Sequence, residues 1–249
     1  MVPHAGAEPE RYFFMHLPKT AGMSLFQRLI HHHGEQAVYP LPADRGRPGT
    51  YMSIDYLRDG FAVHGENLRV IAGHFPLCVD EILGVPLTTF TILRDPVGRT
   101  LSLLRQHQQQ DREFRDSSLE DVYAKPVLLH GLIHNFMVKC LSVTVDEIER
   151  DVMTMVPYDQ ARLERAKANL EHRVELFGVQ EDFEGFCRQL GDRFGWDLGV
   201  EPTYTNSTAV MDVSHELRER IAHDNALDME LYRFAKQQLE RGRTTEVAH

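Results

Sequence analysis

Tyr12-Phe13-Phe14-Met15-His16-Leu17-Pro18-Lys19-Thr20-Ala21-Gly22-Met23-Ser24-Leu25 is the most informative stretch of the chain. Its aromatic, apolar opening suits a strand buried on both faces, predicted over 11–16. Pro18 through Gly22 interrupts that pattern. Leu25, Leu29 and Ile30 then return at helical spacing, which predicts a helix over 22–33. A strand, a small-residue turn and a helix start together make an anion cradle. Free amides and the positive end of the helix dipole face whatever sits in the turn. Lys19 adds a full charge, Thr20 and Ser24 add hydroxyls, and Gly22 allows close backbone approach.

Outward from this unit, apolar and β-branched runs predict strands over 68–73, 88–93 and 174–179. Helices are predicted over 78–84, 96–109, 182–194, 214–223 and 225–241. The middle, about 117–170, reads as mostly helical with breaks near Pro126 and Pro157. Residues 40–50, rich in Pro, Gly and Arg, read as a loop, as do 197–213. Strands alternating with helices imply an α/β protein: a P-loop-like three-layer fold with a central, mostly parallel sheet flanked by helices. Residues 11–241 are expected to form a single domain between flexible ends at 1–10 and 242–249.

The 249 residues carry a formal charge of −10, with 42% hydrophobic and 26% charged residues. That is an ordinary soluble composition, long enough for a substantial core. The acidic balance and the absence of a basic stripe argue against a nucleic-acid binder, and more weakly against a long polyanionic acceptor. No apolar run reaches membrane-span length, and Met1 through Glu10 lack a signal-peptide pattern, so a cytoplasmic location is expected. Cys78, Cys140 and Cys187 are widely spaced and sit in apolar surroundings. They read as buried free thiols of a reducing compartment.

The turn is not the nucleotide-triphosphate loop, which places Gly-Lys-Ser/Thr together at the helix start. Here Lys19 precedes Gly22. Alone, such a turn would be an ordinary strand-to-helix connection with a solvent-facing lysine. A second constellation runs from Thr91 through Arg94-Asp95-Pro96 to Ser102. Arg94 leaves a strand end, and Ser102 lies in the helix that follows. A guanidinium fork with a hydroxyl can hold a terminal phosphate. An Arg94–Asp95 structural pair on a packing helix accounts for that segment alone equally well. Ala72-Gly73-His74-Phe75-Pro76 places His74 just beyond another strand end.

Together these segments resemble the sulfotransferases that use 3′-phosphoadenylyl sulfate (PAPS), most closely the carbohydrate branch that includes heparan-type 2-O-sulfotransferases. His16 through Ser24 is similar to that family's 5′-phosphosulfate loop, with Met23 where a Thr is usual. Arg94 through Ser102 is similar to its 3′-phosphate motif. Asn135 through Leu141, with Lys139 in place of an Arg, resembles a middle segment. Leu176 through Phe183 and Asn225 through Phe234 resemble later ones, so the similarity spans about residues 12–240. The resemblance implies sulfuryl transfer from PAPS to an acceptor hydroxyl on a carbohydrate or small metabolite, leaving adenosine 3′,5′-bisphosphate (PAP). It implies Lys19 at the bridging oxygen and His74 as the base, with Ala72 where a second histidine is frequent. Backbone from Lys19, Thr20, Ala21, Gly22, Met23, Ser24 and Leu25 would hold the 5′ end, and Arg94 and Ser102 the 3′-phosphate. No carboxylate cluster suggests a metal. A small-molecule kinase of related architecture and a non-catalytic nucleotide-binding module are the alternatives. The acceptor and the oligomeric state are not legible.

Other conspicuous residues carry simpler expectations. His31-His32-His33 suits a helix C-terminus rather than one metal site. Arg162, Arg165 and Lys167 alternate with Glu164 as a solvated face. Trp196 is expected to pack, with adenine stacking as its alternative role. Thr203 through Thr208 is a polar late loop, and Asn206-Ser207-Thr208 a glycosylation sequon without meaning in a cytosolic protein.

Overall fold

Tyr12–Met15 forms β1, the central strand of a parallel sheet. The computed structural model describes residues 10–148, 153–199 and 213–247. Among them the remaining strands are β2 (Val38–Tyr39), β3 (Val70–Gly73), β4 (Thr88–Leu93) and β5 (Leu176–Val179), in the order β2-β3-β1-β4-β5 with every pairing parallel. Met15 lies beside Gly73 on one side and Thr91 on the other, so the strands deliver their following residues to one edge. The Thr91 hydroxyl ties β4 to that edge by donating to the Met15 carbonyl at 2.7 Å. The late loop at 203–208, its sequon and residues 1–9 lie outside the described residues.

Side chains alternate across the sheet and so fix the two outer layers. Phe14 packs with Leu25, Phe26 and Leu29 of α1 (Gly22–His33) and with Phe183, Phe186 and Leu190 of α9 (Phe183–Phe194). Phe13 and Met15 pack on the other face. There they meet α2 (Ile54–His64), α3 (Val79–Leu83), α7 (Phe136–Ser142), α8 (Gln160–His172) and α11 (Ala226–Val247). Leu101 and Leu104 of α4 (Pro96–Gln110) build a third cluster with α5 (Leu119–Tyr123), α6 (Pro126–Leu128) and α10 (His215–Asp224). This is the expected three-layer α/β architecture. Cys78, Cys140 and Cys187 are buried free thiols.

Several elements add to the sequence expectations or correct them. Residues 54–64 form a helix, capped by the Ser53 side chain, which accepts from the Tyr56 amide. The strand at Val38–Tyr39 escaped notice because two residues carry no periodicity. The middle is more broken than expected: α6 passes into a wide π turn at Leu129–Ile133, and residues 143–148 and 153–159 are not helical. The last helix runs past 241 to Val247. Arg162 does not sit on a solvated face. It is 6% exposed, donates to the Pro157 carbonyl at 2.7 Å and pairs with Glu147.

Two buried side chains join α7 to α11 reciprocally. Asn135, at φ 45°, accepts through Oδ1 from the amides of Leu227 and Asp228, each at 3.1 Å. Asp228 accepts in return from the amides of Met137 and Val138 at 3.1 and 2.8 Å. Each side chain satisfies orphan donors at the other helix's start. Burial pushes the Asp228 carboxyl up to about 6, against the pull of Arg99 and the two amides. The middle and terminal segments thus bind each other. Asp228→Ala should lower the unfolding free energy by about 3 kcal/mol, because it strands buried donors and the charge of Arg99. Urea titration checks this, and a loss under about 1 kcal/mol would contradict it.

Candidate active site

The turns that follow β1 and β4 face each other at the carboxyl edge of the sheet. β1 connects through α1 to β2 at one edge, and β4 connects through α4 and the middle helices to β5 at the other. The two adjacent strands therefore part to opposite sides. In open parallel sheets that switch point forms the ligand crevice.

The first turn has a cradle's backbone. Lys19 and Ala21 both adopt left-handed φ, 69° and 66°. For residues bearing a Cβ this costs on the order of 1–2 kcal/mol each. The conformation curls the main chain into a concavity of amides. Inside the turn, Thr20 is buried and its hydroxyl donates to the Leu17 carbonyl at 2.8 Å, so it locks the loop rather than facing a ligand. The amides of Ser24 and Leu25 both return to the Ala21 carbonyl at 3.1 and 3.4 Å. Those two amides are therefore engaged within the turn, and the Leu25 side chain belongs to the core. The amides of Ala21, Gly22 and Met23 have no acceptor among the described residues. The Met23 side chain is exposed, so its amide rather than its side chain serves the concavity.

Arg94 joins the second turn to the first by donating from Nη1 to the Lys19 carbonyl at 2.8 Å. Asp95 instead caps α4, accepting from the Gly98 amide at 2.7 Å. Ser102 lies half-buried on α4, about two turns along. The Lys19 ammonium is half-buried and has neither a hydrogen bond nor an ion pair among the described residues. Burial, and then Arg94, lower its pKa. Burial also lowers that of Arg94, against the opposing pull of Glu181, Asp95 and Tyr232.

His74 follows β3 at the same edge of the sheet, with its tautomer defined. Its amide donates to the Tyr51 carbonyl at 2.7 Å, and its Nδ1 lies 2.6 Å from the His16 carbonyl oxygen. That oxygen only accepts, so Nδ1 carries the hydrogen and Nε2 of the neutral ring keeps its lone pair. Burial lowers the pKa of His74, with Arg99 adding to the effect and the His16 carbonyl opposing it. The ring is therefore neutral at pH 7 and able to take a proton.

Three neighbours were not legible in the sequence. His16 follows Met15, as His74 follows the paired Gly73, and the two rings lie 4.6 Å apart. Ala72 pairs with Phe14, so the imidazole beside His74 comes from the adjacent strand and not from position 72. Tyr51 flanks His74 at 6.2 Å. Arg99 is wholly buried, donates to the carbonyls of Leu132 and Ile133 at 3.0 Å each, and lies over the Phe136 ring. Lys139 donates to the preceding Gly131 carbonyl at 2.7 Å, so both cations hold the π turn. Such turns occur frequently at functional sites.

Trp196 lies at the far end of β1, edge-on to Tyr12 at 4.7 Å and 8% exposed, which removes the adenine-stacking role. His32 and His33 pack around the same indole. Among the described residues no group of three or more His, Cys, Asp or Glu is placed to hold a metal ion, and no helix is long and apolar enough to cross a membrane.

No protein-family model and no curated protein sequence matches the chain. Among solved structures it is similar to a sulfotransferase from Alicyclobacillus acidocaldarius, with a TM-score of 0.50 and 18% identity over 91% of this chain and 94% of that one. The two share a fold. At this identity the likeness extends to the sheet, its flanking helices and the near-complete overlap of the chains.

Proposed function

We propose that the protein is a PAPS-dependent sulfotransferase acting on a hydroxyl of a carbohydrate or small metabolite. The observation that carries this is Lys19: a half-buried ammonium that has no counter-ion among the described residues, in a turn whose amides are open among the same residues, tied by its own carbonyl to a second cation, Arg94. Two adjacent cations call for an anion charged at more than one place, and PAPS carries a 5′-phosphosulfate and a 3′-phosphate. The carbohydrate preference rests on the motif resemblance. The acidic net charge of −10 favours a neutral or cationic acceptor, since a polyanion would be repelled. A cytoplasmic site of action is part of the same proposal.

In this reading the amides of Ala21, Gly22 and Met23 hold the 5′ end, and Arg94 and Ser102 hold the 3′-phosphate. His74 Nε2 accepts the proton of the acceptor hydroxyl as its oxygen bonds to sulfur. Lys19 stabilises the charge that develops on the bridging oxygen as the sulfur–oxygen bond breaks. As in phosphoryl transfer, positioning and fixed charge supply most of the rate.

Calorimetry with PAP tests donor recognition. Arg94→Ala should weaken binding about ten- to a hundredfold, the worth of a hydrogen-bonded charge. Unchanged affinity would place the 3′-phosphate elsewhere. Transfer of labelled sulfate from PAPS across a panel of glycans, phenols and cell metabolites then tests the activity. Tight PAP binding with no transfer to any of them would favour a non-catalytic nucleotide-binding module.

A further inference from the structure

His16 is 5% exposed, yet neither ring nitrogen has a hydrogen-bond partner among the described residues. Its nitrogens are not among the wholly enclosed unpartnered atoms, so the polar edge of this largely buried ring stays open to a small molecule. The ring is wedged in place. One face stacks on Phe14 at 5.3 Å and 9°, and its side meets His74. Its Cδ2–Nε2 edge reaches Gly22, where a Cβ would fall 1.9 and 2.1 Å from those two atoms. Position 22 must therefore be glycine. It is the first residue of the twelve-residue α1, in the concavity of open amides, and the unpartnered edge is aimed there.

The groups facing His16 are His74 from β3 and Lys19 from the turn, with Arg94 behind Lys19. Arg99 faces His74 from α4. No carboxylate is among the groups that shift His16, which burial, His74 and Lys19 hold well below the ordinary imidazole value. An anion in the concavity would reverse that balance.

We infer that His16 is a further ligand of the anion cradle: a ring N–H binds the tetrahedral oxyanion seated at Gly22, and the ring gains a proton as the anion arrives. Anion affinity then falls as pH rises, because binding and protonation favour each other. The inference rests on the proposed function only for the identity of the natural anion.

Inorganic sulfate is the probe, since it does not titrate near neutrality and any proton taken up must come to the protein. Calorimetry near pH 6 in buffers of different ionisation enthalpy should show proton uptake by the wild type. His16→Phe should abolish the uptake and weaken sulfate binding about tenfold, the loss of one charge-assisted hydrogen bond. Uptake that survives His16→Phe, or that vanishes in His74→Asn, would overturn the assignment. Histidine-selective NMR of the wild type covers the case in which His16→Phe fails to fold. There His16 should move to its imidazolium shift under saturating sulfate, and a ring that stays neutral refutes the inference. Sulfate binding that protonates His16 without any affinity for PAP would leave this inference standing and remove the sulfotransferase. PAP binding with a neutral His16 would do the reverse.

Discussion

Lys19→Ala is expected to lower turnover about a thousandfold, the upper range for losing one preorganised charge-stabilising group. It should do so without lowering stability. The ammonium is half-buried and has no ion pair among the described residues, so removing it relieves a desolvated charge, and burial heads the causes that lower its pKa. Activity and stability then move in different directions, as expected of a group held in place for function. The comparison can be extended to Lys19→Gly, which should be more stable than Lys19→Ala because the position sits at φ 69°. Single-turnover transfer from labelled PAPS and thermal melting measure the two effects. Turnover within about threefold of wild type would remove Lys19 from the reaction.

His74→Ala should cost roughly a hundred- to ten-thousandfold in turnover, the usual share of a general base, while PAP affinity stays close to wild type. That split separates a proton acceptor from a nucleotide ligand. Its pH profile carries further information. Transfer requires the neutral ring, so the rate rises with pH through the folded-state pKa and is flat above it. Burial places that pKa below the ordinary 6.5, so the acid limb should lie below that value and disappear in the variant. Stability follows the same sign. The lowered imidazoles of His16 and His74 bind fewer protons folded than unfolded, so stability falls as pH drops below about 6.5. A limb unchanged in His74→Ala would assign it to another group.

The sequence displayed some parts of this molecule more openly than others, for physical reasons. β1, α1, β4 and α4 were readable because both faces of each strand are buried and each helix carries one apolar stripe. Pro96 at the first turn and Gly22 after a small-residue turn marked the helix starts. α2 was hidden by Gly60 in its interior, a residue that sits there because the Tyr39 ring approaches within 3.0 Å of where a Cβ would be. Its Ser53 cap, followed by Ile54, Leu57 and Phe61, was the signal available. Lys19, His74 and Arg94 were singled out as residues that follow strands, and the structure brings those strand ends to one edge. His16 was not singled out, although it lies in the most conspicuous stretch of the chain. Its meaning depends on register: only when Met15 is set beside Gly73 does His16 come to lie next to His74. The Thr20 hydroxyl turned inward for the opposite reason, since a local bond to Leu17 outcompetes a distant partner.

The mutual capping of α7 and α11 also bears on how the protein is made. Asn135 and Asp228 are far apart in the chain, and neither helix start is satisfied until both exist. While the ribosome is still adding residues beyond α7, Met137 and Val138 have no carboxylate to receive their amides. The core cluster that includes Leu231 and Ala235 lacks its last members over the same interval. At the usual elongation rate of about 5–20 residues per second, the nascent chain spends several seconds with this apolar face uncovered. The protein should therefore depend on chaperone protection during synthesis, and chains released before α11 is complete should be degraded rather than accumulate as shortened folded forms.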